Sequence, residues 1–170
     1  MKISGPTALT SAEIDDLMAA AWIVRLATAG PDGRINLAPL WYCWADGKVY
    51  AYTRGRKIGN LRRNSNCTML VDQNERYPEL KGVMLEGQAR ILETAADESA
   101  DESLDSIVRE RMGLKYRDGG FGTPDNTRNM STAMGADWRW IVFTPERGFS
   151  WDNTKSKHRK KKQGLEDSNA

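Results

Sequence analysis

Val49, Ala51 and Thr53 alternate with Tyr50 and Tyr52, the period-two spacing of a half-buried strand, and Thr68 to Val71 predicts another. The basic stretch between them leaves room for only a short helix. On such a helix Arg56, Asn60 and Arg63 fall on one face and Ile58 and Leu61 on another, so an apolar side docks while cations are presented. Upstream, Thr10-Ser11-Ala12-Glu13 reads as a capping box opening a helix that carries Ile14, Leu17, Met18 and Ala21 on one side. Strands follow: Trp22 to Thr28, a Pro31-Asp32-Gly33 turn, Arg34 to Trp44, and an Asp46-Gly47 hairpin into Lys48 to Thr53.

Beyond the basic helix the pattern predicts strands over Asn66 to Gln73 and Lys81 to Glu93, the second with Val83, Leu85, Gly87, Ala89 and Ile91 on one face. A helix comes next. Asp97, Glu98, Asp101 and Glu102 gather at its start and Arg109 and Arg111 near its end, matching the helix dipole, while Leu104, Ile107, Val108 and Met112 form its buried stripe. It reads as scaffold. Gly113 to Asp137 is long enough for a lid or a dimer-contact segment, and its Gly119-Gly120-Phe121-Gly122 lacks the spacing of a dinucleotide fingerprint. Trp138 to Thr144 and Gly148 to Trp151 complete the strands. Many hairpin-linked strands with few, non-alternating helices exclude a doubly wound parallel sheet and predict a mainly β chain: an antiparallel barrel with peripheral helices.

With 170 residues, 39% hydrophobic and 28% charged, the chain reads as one domain over residues 1–152 and a basic, disordered tail over 153–170. Lys155, Lys157, Arg159, Lys160, Lys161 and Lys162 more than account for the net charge of +2, leaving a mildly acidic body. The tail has no stacking aromatics, so nucleic acid is not an expected partner. No apolar run approaches the ~20 residues of a membrane span and the start lacks a signal-peptide centre, so a cytoplasmic protein with no membrane contact is expected. Cys43 and Cys67 lack metal or redox spacing and read as buried thiols. The single histidine, His158, lies in the tail, which leaves no nucleophilic triad and no metal site in the body. Hydride transfer asks less of the protein, because a cofactor ring carries the chemistry.

The basic turn is the candidate site. Gly55 loosens its start, and the free N–H groups of a first helical turn join Arg54, Arg56 and Lys57 in favouring an anion. This segment, YTRGRKIGNLRRN followed by TMLVD, resembles the pyridoxamine 5'-phosphate oxidase-like superfamily of FMN-binding split barrels, including the branch that uses the deazaflavin coenzyme F-420. The LATAGPDGRINLAPLWY hairpin, the VMLEGQARIL strand and the FTPERGFSWDNTK ending extend the resemblance over about residues 11 to 152.

The resemblance implies a split β-barrel, a homodimer with two cofactor sites at the subunit interface, and FMN or F-420 as cofactor. It places Pro39, Leu40 and Trp41 beside the cofactor ring, and Thr53, Arg56, Lys57 and Asn60 around ribityl and phosphate oxygens. Gln88, Trp151 and Lys155 match positions reaching in from the partner subunit. Asn60-Leu61-Arg62-Arg63 and Ser150-Trp151-Asp152 look like the F-420 branch, whose acidic oligoglutamate tail Arg62 and Arg63 would meet. The C-terminal Arg and His contacts of the true pyridoxamine-phosphate oxidases are not matched, so vitamin B6 oxidation is not implied. The expected activity is hydride transfer between FMN or F-420 and a small conjugated organic molecule, with a non-catalytic flavin- or tetrapyrrole-binding protein as the alternative. No catalytic residue is assigned.

Overall fold

The computed structural model describes residues 1–117 and 137–156. Its framework is one sheet of eight strands: β1 (Lys2–Ser4), β2 (Val24–Ala29), β3 (Ile35–Leu40), β4 (Cys43–Ala45), β5 (Lys48–Thr53), β6 (Asn66–Gln73), β7 (Lys81–Leu92) and β8 (Arg139–Asp152). The strand order is β3-β2-β6-β7-β8-β5-β4, antiparallel throughout, except that β1 pairs parallel to the far half of β8. The sheet curls into the expected split barrel.

Two departures from the sequence reading concern strand continuity. The run expected to continue from Arg34 to Trp44 breaks after Leu40 and resumes at Cys43. Conversely, the two short strands expected after residue 137 are one, carried past Pro145 by a bulge opposite Glu86 and Gly87. Gly87 is required there: a Cβ at that position would lie 2.1 Å from the Thr144 carbonyl oxygen. On one side of the bulge β8 pairs with β5, and on the other with β1, an element with no local hydrophobic signal.

Helix α1 (Ser11–Ala20) begins at the predicted capping box, with the Thr10 side chain accepting from the Glu13 amide and the Glu13 carboxylate accepting from the Thr10 amide. Its Ile14, Leu17 and Met18 enter the barrel core beside Val24, Leu26, Met69 and Leu85. Between β4 and β5, Asp46 and Gly47 both take positive φ, the conformation of a tight primed hairpin. Helix α2 (Arg56–Arg63) plugs the same core with Ile58 and Leu61.

The predicted acidic helix is interrupted. Helix α3 (Ala95–Ser99) stops before Asp101, a widened π-turn spans Leu104–Val108, and helix α4 runs on through Arg109–Tyr116. Leu104, Val108, Met112 and Tyr116 recur every fourth residue and cover the outer face of β4, β5 and β8, where Tyr50, Trp140 and Val142 are buried. The expected dipole-matching role of Arg109 gives way to a buried one: its guanidinium donates to Glu98 and Asp105, each at 2.7 Å, and lies over the Trp140 ring. The connection expected over Gly113 to Asp137 starts later, since residues 113–116 are helical; residues 118–136, and the tail from 157, lie outside the described residues. Cys43 and Cys67 are free and buried, and burial pushes their thiols up to about 11 and about 12.

Among the described residues no helix covers the outer face of the opposite half of the sheet. Pro39, Arg25, Leu70, Met84 and Phe149 lie in one register row across β3, β2, β6, β7 and β8, with Leu37 and Ala27 in the next. Ile35 and Leu37 are 66% and 63% exposed. Among the described residues no helix is long and apolar enough to cross a membrane.

Candidate functional site

The break between β3 and β4, the end of β5 and the start of α2 meet around a cavity of about 440 Å³, within the usual size of a small-molecule site. Pro39, Leu40 and Trp41 form one side of it. Tyr52, Thr53 and Arg54 continue from β5, Lys57 enters from the first turn of α2, and Met112 and Trp138 close it from α4 and the approach to β8.

Aromatic rings set its shape. Tyr52 stacks on Trp138 with centroids 5.1 Å apart and planes 20° from parallel, and the Arg54 guanidinium sits 4.9 Å from the centre of the Trp138 ring. Among the described residues no carboxylate lines this cavity, although the cations Arg54 and Lys57 do. Burial, and then the charge of Arg54, pulls the Lys57 amine below the ordinary lysine range. An anion beside the two would relieve their repulsion and replace part of the water that Lys57 has lost. Gly55 caps α2 at φ +77° with no side-chain hydrogen bond to the first turn. The backbone there favours glycine, as the sequence suggested.

Arg56, adjacent to Lys57, points to the other side of α2. With Asp32, Arg34, Asn36, Asn60 and Arg63 it lines a second cavity of about 360 Å³. Asn60 is 1% exposed; its amide donates to the Thr28 hydroxyl at 3.1 Å and its carbonyl oxygen accepts from Arg63 at 2.8 Å, tying α2 to β2. Arg62 turns away altogether and makes a two-pronged pair with Glu93, both contacts at 2.7 Å.

Of the residues singled out in the sequence, Pro39, Leu40, Trp41, Thr53 and Lys57 share the first cavity, while Arg56 and Asn60 line the second. Gln88, Trp151 and Lys155 line neither. Gln88 is exposed on β7, level with Asn66 and Thr144. Trp151 lies across Gly82, where a Cβ would fall 2.4 Å from the ring. The Lys155 amine is held in its own chain by Glu13 at 2.6 Å and the Ala8 carbonyl at 3.3 Å. Sequence reasoning missed Tyr52, Met112 and Trp138 as lining residues. Met112 read as helix stripe and Trp138 as strand start, and only the packing of α4 beside the end of β5 converts them into cavity walls.

The sequence signature of the family described as pyridoxamine 5'-phosphate oxidase matches residues 10–152. No protein of curated function matches the chain in sequence. A conserved hypothetical protein from Mycobacterium tuberculosis is similar in structure with 27% identity and a TM-score of 0.72, over 91% of this chain and 92% of that one. The haem storage protein HutZ from Vibrio cholerae shares the fold at 16% identity and TM-score 0.60, over 80% and 89%. An FAD-binding protein from Mesorhizobium loti does so at 20% and 0.60, over 84% and 93%.

Proposed function

The chain belongs to the pyridoxamine 5'-phosphate oxidase family, and from that premise we propose that it is an oxidoreductase that binds FMN or the deazaflavin coenzyme F-420. It passes hydride between that cofactor and a small conjugated organic molecule. One observation carries the reading: a cavity walled by Trp41, Tyr52 and Trp138 presents Arg54 and Lys57 and, among the described residues, no carboxylate, a lining suited to a flat ring with an attached anion. The residues fit such a group. When bound, the flavin or deazaflavin ring supplies the hydride chemistry.

The chain's own part is binding, orientation and exclusion of water. Lys57 and Arg54 hold the anionic end, and the buried Thr53 hydroxyl offers a hydrogen bond beside them. Pro39, Leu40 and Trp41 bear on the ring, and Met112 keeps water from it. Across α2, Arg56 and Arg63 present cations to any acidic extension, while Arg34 is paired with Asp32 at 3.2 Å. This favours a tailed cofactor in which Arg63 acts without Arg62, already paired with Glu93. The protein works as a homodimer in the cytoplasm, its uncovered Ile35, Leu37, Leu70, Met84 and Phe149 face packed on a second copy whose Gln88 and Trp151 complete the site.

A storage or carrier role for a tetrapyrrole is the second reading, favoured by the fold shared with a haem storage protein. Against it, the described residues contain no histidine to ligate iron. Side-by-side titration with FMN, F-420 and haem tests the proposal, followed by reoxidation of the bound, reduced cofactor with quinone acceptors. Saturable binding of one of the first two and turnover are expected. Binding of haem alone would overturn the oxidoreductase reading.

A further inference from the structure

Trp41 sits on a two-residue gap between β3 and β4, where no ladder fixes the backbone. What fixes it comes from α4. The Tyr116 hydroxyl accepts from the Tyr42 amide at 2.9 Å and lies 2.7 Å from the Trp22 carbonyl and 3.0 Å from that of Tyr42. A phenol has one proton, so it donates to one carbonyl at a time while accepting from the amide. Its ring lies against Trp41, centroids 4.5 Å apart and planes 6° from parallel, and Trp22 packs edge-on from a third side at 5.5 Å and 83°. Tyr116 is 1% exposed and does not line the cavity; Trp41 does.

We propose that Tyr116 is a positioning residue that sets the plane of Trp41 as a cavity wall, by holding the Tyr42 backbone with its hydroxyl and backing the indole with its ring. The proposal rests on the reading of that cavity as the ring site. A core tyrosine needs no alignment with an indole and no contact with three backbone groups of two separate segments. Here one side chain supplies both, and both constrain the residue that faces the ligand. Loss of the hydroxyl frees the gap while leaving the volume of the core nearly unchanged.

The test is a double-mutant cycle of Tyr116→Phe and Trp41→Phe, read by titration with FMN and with F-420 and by near-ultraviolet circular dichroism without ligand. Tyr116→Phe should weaken binding roughly three- to tenfold, the worth of about one hydrogen bond. It should also alter the tryptophan bands, and both effects should vanish in the Trp41→Phe background. Equal losses in both backgrounds, or a lower melting temperature with unchanged affinity and bands, would overturn it. If neither cofactor binds the unaltered protein, the ring-site reading fails, while the dichroism cycle still decides whether Tyr116 orients Trp41. Hydrogen exchange on the unaltered protein gives an answer independent of any variant's folding. The Tyr42 amide should exchange more slowly when FMN or F-420 is bound, and no slowing with a bound cofactor would count against the proposal.

Discussion

Replacing Lys57 by methionine removes one charge and keeps most of the side-chain stem. Without an anion beside it that charge is unfavourable: burial and Arg54 both disfavour the ammonium, and no carboxylate among the described lining residues offsets them. A lysine whose folded pKa is lowered opposes folding while it is protonated, and the penalty fades only as pH rises toward the ordinary value. Lys57→Met should therefore leave the melting temperature unchanged or slightly higher. Ligand binding should move the other way. A charge-assisted hydrogen bond is worth about 1.5 to 3 kcal/mol, and ~1.4 kcal/mol is a factor of ten, so affinity for a phosphate-bearing cofactor should fall roughly ten- to a hundredfold. Lys57 is only half-buried, so solvent screening places the expected loss near the lower end. Calorimetric titration of FMN and F-420 at about 0.05 M and about 0.5 M salt should show a shallower salt dependence for the variant. Arg56→Ala supplies the contrast. Because Arg56 lines the other cavity, a ligand confined to the first cavity will not register its loss, whereas one that spans α2 will lose as much again. Arg76→Ala, exposed and lining neither cavity, is the control. Unchanged affinity and salt dependence in Lys57→Met would refute the assignment of the anion to this lysine.

Leu37→Asp on the uncovered sheet face should convert a dimer into a monomer in sedimentation at micromolar concentration with little change in melting temperature; an unaltered protein that is itself monomeric with cofactor present rules out the shared site. Arg109→Ala removes the cation 2.7 Å from buried Glu98, and breaking a buried pair costs about 3 to 5 kcal/mol, or roughly 6 to 20 °C in melting temperature at this chain length. A fall within a degree or two would show that the pair is solvated. The Lys155 ammonium, then the Thr10 amide, hold the Glu13 carboxyl at about 2 against an ordinary 4.5. A lowered carboxylate pKa stabilises the fold above the ordinary value, and the contribution drains away as pH falls from about 4.5 through about 2. Lys155→Met should flatten that acid limb in urea titrations; an unchanged slope would mean the ion pair is not populated.

Local signals sufficed wherever one element decides its own state. The α1 capping box and the Asp46-Gly47 hairpin lie within a few residues of the contacts they specify, and each forms where its chemistry predicts. The same holds for Gly55 and the two-faced α2, so the basic segment was legible as a candidate anion site. The strand over β5 forms too, but buried on both faces rather than half-buried, because α4 and the π-turn before it cover Tyr50. Other features depend on partners remote in sequence. Lys2–Ser4 becomes a strand only because β8, more than 140 residues away, offers it an edge past the bulge. Arg109 reads as a dipole-matching cation until Glu98 and Trp140 enclose it. Arg56 and Lys57 are neighbours in the chain, yet helical geometry turns successive side chains about 100° apart and sends them into different cavities. Periodicity and capping are short-range and survive in the bare sequence. Which face of an element meets which other element is set by the whole sheet, and that decided the walls of the first cavity.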